Sequence, residues 1–177
     1  MDLLDFDGQG LYFDEPLPEQ VGKLLTEAAQ AYGGGAAEIR LLQAHALAPD
    51  SLTVLVALYR FHYYQHRPAD ALEVARKAVE VSGTRLNLPA SWRQVGVYDL
   101  GRAAIQSMGI VRFYLLALKG AGYLSLRMGD MAGGIAMLGK VCELDPKDHM
   151  GAAALLELLK DDCAGNGAGR ECAGRAD

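Results

Sequence analysis

The sequence predicts an all-α protein built from stacked antiparallel helical hairpins. Three observations carry this. Apolar residues recur at helical spacing through most of the 177 residues. No run shows sustained alternation of polar and apolar residues between turn signals, as a strand would. The helical stretches also repeat, with small residues in phase.

The elements follow in order. Residues 1–16, MDLLDFDGQGLYFDEP, set Asp2, Asp5, Asp7, Asp14 and Glu15 around Leu3, Leu4, Phe6, Leu11, Tyr12 and Phe13. The stretch is too polar and Gly-broken for a helix and too aromatic for a plain solvated tail, so it reads as an acidic-aromatic arm that packs on its own domain or on a partner. A helical domain spans 17–161. Its first helix places Val21, Leu24, Leu25 and Ala28 on one face and ends at Gly33-Gly34-Gly35. The second, AAEIRLLQAHAL, stops at Pro49, and Asp50 or Ser51 can cap the third, SLTVLVALYRFHYYQHR. That helix breaks near Arg67, because Pro68 lacks the N–H of a continuing helix and suits the first turn of the fourth, PADALEVARKAVEVSG.

Residues 84–114, with Pro89, Trp92 and several glycines, read as an irregular insert of short, bent helices. Regular helix resumes with IVRFYLLALKGAGYLSLRM, is punctuated at Gly129-Asp130, continues in MAGGIAMLGKVCEL and ends at Asp145-Pro146. KDHMGAAALLELLKDD makes a last, capping helix. The Gly/Ala-rich tail, 162–177, reads as flexible.

Composition narrows the function class. Hydrophobic residues make up 51% and charged residues 22%, an ordinary globular balance. A net charge of -5 argues against binding that rests on phosphate neutralisation. No apolar run reaches a membrane span, since Arg112, Lys119 and Arg127 interrupt the most apolar region, and the acidic start is unlike a signal peptide. The expected location is the cytoplasm. Three cysteines, Cys142, Cys163 and Cys172, suggest reduced thiols rather than a disulfide framework.

The repeat is visible by shifting the chain. A shift of 34 aligns Ala37 with Ala71, Ala44 with Ala78 and Pro49 with Gly83, and a further shift of 63 brings these onto Gly134, Val141 and Pro146. The clearest unit is LKGAGYLSLRMGDMAGGIAMLGKVCELDP. Its Gly122, Gly129-Asp130 and closing LDP resemble the tetratricopeptide repeat, an αα-hairpin of 34 residues. Units fall at about 18–50, 52–83 and 115–148. Val21, Leu55 and Leu118 stand where the family usually opens with an aromatic. The resemblance implies a superhelix whose stacked hairpins share a core and whose first helices line a concave groove for partner segments.

Candidate sites divide into ligands and surfaces. His62 and His66, four apart, would share a helix face as metal ligands do, but no third ligand lies near in sequence. The repeat phase instead puts His62 in the core and His66 in the turn before Pro68. Cys163 and Cys172 lack C-x-x-C spacing, and Cys142 fits a small core position. A metal- or thiol-dependent protein using His62, His66 and the tail cysteines is the alternative reading.

No nucleophile elbow, Walker loop, H-E-x-x-H or dinucleotide fingerprint occurs. Neither catalysis, nor a cofactor, nor a metal, nor a small-molecule substrate is therefore expected. The groove positions that the resemblance implies are Thr53, Val56, Arg60, Tyr63 and Tyr64 in one unit, and Leu116, Lys119, Tyr123, Leu126 and Arg127 in another. Arg60, Tyr63, Tyr64, Lys119, Tyr123 and Arg127 form the expected partner-binding set, because Arg and Tyr concentrate binding energy and Arg forks onto carboxylates. Such a groove suits an acidic-aromatic segment, and the chain's own arm is one.

A narrower resemblance rests on DFDGQGLYFDEPLP, LTVLVALYRFHYYQHRPADAL and RFYLLALKGAGYLSLRMGD. Together these look like small tetratricopeptide proteins encoded near nitrogen-fixation genes. That resemblance implies an accessory role on the nitrogenase molybdenum-iron component, through protein contacts and without nucleic acid or membrane.

Overall fold

The computed structural model describes residues 16–31 and 35–167, with side chains described as far as 159. The arm 1–15 and the tail 168–177 lie outside the described residues. Among the described residues seven α-helices follow one another: α1 (Glu19–Gln30), α2 (Gly35–Leu47), α3 (Leu52–Tyr64), α4 (Pro68–Arg85), α5 (Val97–Arg127), α6 (Met131–Leu144) and α7 (Ala152–Gly167). No strand occurs among the described residues. Each helix packs on the next in sequence, which makes the molecule a stack of antiparallel hairpins.

Local chemistry sets the starts and stops. Ser51 accepts the Val54 N–H at 3.4 Å, and Pro68 opens α4 where its missing N–H costs nothing. Three helices end with a left-handed residue, closed by a backbone bond reaching five residues back. At His66 (φ 56) the Arg67 N–H donates to the His62 carbonyl at 2.9 Å; at Asn87 (φ 53) Leu88 reaches Gly83 at 3.0 Å; at Gly129 (φ 87) Asp130 reaches Ser125 at 2.9 Å. His66 is thus the residue that ends α3.

The stretch 84–114 is irregular only in part. Turns and a short 3-10 segment at Trp92–Gln94 occupy residues 86–96, and α5 already begins at Val97. It kinks at Ser107 (φ -159, ψ 99), whose Oγ accepts the Ile110 N–H at 3.3 Å. Ser107 therefore caps a new helical segment, and the regular helix expected from Ile110 is the second half of α5. The last helix starts at Ala152 rather than Lys147. Asp148 (φ 50) and Gly151 (φ 67) are left-handed, and Asp148 Oδ1 accepts the N–H groups of Ala152 and Ala153 at 2.7 and 3.1 Å.

Two cores meet at α3. Val54, Leu58 and Phe61 face Val21, Ala28, Ala37, Leu41 and Ala44 of the first hairpin. Leu52, Leu55, Val56 and Tyr59 face the main core, which runs through α4, α5 and α6 to Ala152. The phased small residues sit at these helix crossings: Ala37, Ala44, Ala71, Ala78 and Gly134 are all buried. At the α5–α6 crossing the backbones nearly touch. A Cβ on Gly134 would lie 2.8 Å from the Gly122 carbonyl oxygen.

Candidate functional site

An open apolar cavity of about 500 Å³ lies between the first and second hairpins. Leu25, Ala28 and Ala29 of α1 form one wall, with Leu41 of α2 beside them. Thr53, Ala57, Arg60, Phe61 and Tyr64 of α3 form the other. These α3 positions lie four, seven, eight and eleven residues from the first, which is one helical stripe. Small side chains line much of it: Ala28 and Ala29 on α1 and Ala57 on α3. Tyr64 is 48% exposed and meets Tyr63 edge-on at 5.9 Å.

The expected binding set does not converge. Arg60 and Tyr64 share this cavity, but Tyr63 turns the other way, stacking on Tyr59 at 6.1 Å against the main core. Val56 and Leu116, expected on the groove, are buried in that core, and Lys119 is only 8% exposed. The physical reason is depth in the stack: the middle of α5 is packed between α4 and α6, so every residue from Phe113 to Gly122 is buried. Tyr123 and Leu126 are half-buried against the core, and Arg127 is exposed in the last turn of α5.

The implied groove of first helices includes α1, but the expected binding set names no α1 residue. The adjacent alanines at 28 and 29 were the one visible signal of the α1 wall.

The two histidines part company. His62 is buried, edge-on to Phe61 at 5.6 Å, while His66 is exposed in the turn. His62 lines a second cavity of about 440 Å³ between α2 and α4, with His45. The Nδ1 atoms of both are buried without a hydrogen-bond partner. Arg67 closes one end of this cavity, reaching Glu38 of α2 at 2.5 Å and Asp70 of α4 at 2.6 Å. Glu73 and Lys77 of α4 also line it.

Among the described residues no group of three or more His, Cys, Asp or Glu could hold a metal ion. Cys142 is half-buried against the core, and burial with Asp148 and Asp145 pushes its thiol up. The Cys163 side chain and Cys172 lie outside the described residues.

Burial, with Arg67 nearby, holds the His62 imidazolium pKa below its usual 6.5. The unfolded chain therefore takes up this proton more readily. The resulting stability is fully present above pH 6.5 and is lost as pH falls through the depressed folded value. Urea midpoints measured between pH 7.5 and 5.5 are expected to fall for the wild type. His62→Phe, which cannot titrate, should flatten that slope; an unchanged slope would remove His62 as its source.

A further apolar surface lies on the first segment of α5. Tyr98 is 83% and Ile105 90% exposed, beside Val97 and Met108. The sequence reading of 84–114 as an irregular insert gives no sign of this exposed face. No helix among the described residues is long and apolar enough to cross a membrane.

Fold and groove together define the class: an all-helical stack of hairpins with an apolar, arginine-bearing cleft between its first two units. Comparison with known proteins narrows it. Over 164 residues, covering 93% of this chain and 92% of the other, the chain is 55% identical to an Azotobacter chroococcum mcd 1 protein described as "Uncharacterized 19.8 kDa protein in nifW 5'region". The chain belongs to that protein's family. No family model matches the chain, and no solved structure matches it.

Proposed function

We propose that this is a non-enzymatic accessory protein of nitrogen fixation, acting by binding another protein. The observation that carries the reading is the relative named for its place in the nifW 5' region, similar to this chain almost end to end. The stacked hairpins support the mode of action. Like tetratricopeptide proteins, the chain offers a cleft between successive first helices, here α1 and α3, with Arg60 and Tyr64 beside an apolar floor. The narrower resemblance of the sequence makes the molybdenum-iron component of nitrogenase the partner to test first. In this reading the protein works in the cytoplasm during assembly, protection or repair of that component, and it recognises a protein surface without carrying metal.

Affinity purification from diazotrophic cells grown with and without fixed nitrogen tests the proposal. The tagged chain is expected to retain the molybdenum-iron component from nitrogen-fixing cells. Arg60→Ala combined with Tyr64→Ala should cut that retention at least tenfold, as loss of two interface anchors of about 1–2 kcal/mol each implies. Retention that ignores both substitutions would move the interface elsewhere. Absence of any nitrogen-fixation component from the wild-type eluate would overturn the functional reading.

A further inference from the structure

The acidic-aromatic arm joins the domain at the start of α1, the helix whose later residues Leu25, Ala28 and Ala29 wall the cleft. Leu17, the residue after Pro16, already packs on the first-hairpin core. That core contains Ala28, Leu41 and Phe61, which also line the cleft. Pro18, the N-cap of α1, is extended (φ -53, ψ 138).

Reach is sufficient. Leu25 to Ala29 lie about 9–15 Å along α1 from Glu19, at 1.5 Å per residue. Phe13 precedes Glu19 by six residues, which span up to about 20 Å when extended.

The chemistry also matches. Residues 11–15 read Leu-Tyr-Phe-Asp-Glu, with three large apolar side chains followed by two carboxylates. The cleft has an apolar floor of about 500 Å³, room for two aromatic rings, and Arg60 as the cation on its α3 wall. Arg can fork onto a carboxylate where Lys would act as a point charge.

We infer that residues 11–15 of the chain's own arm fold back into this cleft, seating Tyr12 and Phe13 on its floor and a carboxylate of Asp14 or Glu15 on Arg60. The arm is then an intramolecular competitor of the partner. This inference rests on the groove reading above and adds its regulation. A tethered segment acts at millimolar effective concentration, so weak contacts suffice to hold it until a better ligand arrives. A partner segment that displaces it should carry the same aromatic-acidic chemistry.

The test uses the full-length chain with Leu11→Ala, Tyr12→Ala and Phe13→Ala, and a fluorescein-labelled peptide of residues 2–16. The triple variant is expected to bind the peptide, with the wild type binding at least tenfold more weakly because its own arm occupies the cleft. In the triple variant, Arg60→Glu should weaken peptide binding at least tenfold, and Ala57→Leu should do so by filling the cavity. Circular dichroism of each variant establishes that it is folded.

Hydrogen exchange over residues 53–64 should be slower in the wild type than in the triple variant. A triple variant that fails to bind the peptide, or binds it regardless of both cleft substitutions, overturns the inference, as do equal exchange rates. Exchange protection that disappears on dilution, with a dimer in light scattering, overturns the intramolecular form by placing the arm in a second copy.

The two readings fail separately. Peptide binding that requires Arg60 while partner retention does not would leave the arm inference and remove the groove as the partner site. Partner retention that requires Arg60, with no peptide binding, would do the reverse.

Discussion

Gly134→Ala is expected to destabilise the protein by about 2–3 kcal/mol, near the upper range for forcing a methyl group into a packed crossing. The added Cβ would stand 2.5 Å from Leu126 Cγ and 2.8 Å from the carbonyl oxygen of Gly122. Leu126 can move its side chain, but the Gly122 carbonyl belongs to the α5 backbone, so α5 and α6 must separate. Gly122 is held from the other side: its Cβ would meet Leu138 and Met137 at 3.1 Å. The crossing therefore depends on both glycines.

The control lies in the same helix. Gly139 has nothing within 4 Å of the position a Cβ would take, so Gly139→Ala should stabilise by about 0.5–1 kcal/mol through reduced backbone entropy in the unfolded chain. Thermal melts should move in opposite directions, by roughly 2–4 °C per kcal/mol for a chain of this size. If both substitutions raised the midpoint, the close approach at Gly134 would be refuted.

Asp145→Ala should cost about 2–3 kcal/mol, for a different reason. Asp145 is 8% exposed and organises the turn between α6 and α7. Its Oδ2 accepts the Met150 N–H at 2.7 Å, and its Oδ1 lies 2.9 Å from His149 Nδ1. Met150 is itself buried in the main core. Alanine would leave that N–H buried without an acceptor, which loses the charge-assisted bond and incurs the full desolvation penalty. Asp145→Asn keeps an acceptor oxygen and should recover part of the loss. Urea unfolding of the two variants measures the difference; equal midpoints would show that the acceptor is not what matters.

These two residues show what was legible and what was not. Gly134 and Asp145 both stand out in the sequence, one as the small residue in phase with Ala37 and Ala71, the other within LDP. Each does its expected task, closing a helix crossing or a turn. The groove set follows from the family resemblance, and the structure brings only part of it together. Arg60 and Tyr64 line a common cleft, yet Val56 and Leu116 lie in the core and Lys119 is nearly enclosed. A repeat pattern assigns the face of a helix relative to its own hairpin. It does not say how deeply the neighbouring units cover that face.

The His62–His66 spacing separates along the same line. A four-residue interval places two side chains on one face only while the helix continues. Here α3 ends at Tyr64, and His66 adopts the left-handed conformation that closes it. Pro68 two residues later announced that ending in the sequence itself.

By itself, then, the sequence determined the helices, their hairpin pairing and most of their stops. Those depend on period, caps, prolines and small residues, all of which act within a few residues of where they stand. The tertiary structure alone decided which stripe of α3 stays open, which α1 residues face it, and that the middle of α5 is enclosed. Exposure is set by how successive hairpins rotate against one another. That rotation is the summed outcome of contacts such as Gly122 on Gly134, between residues of different helices.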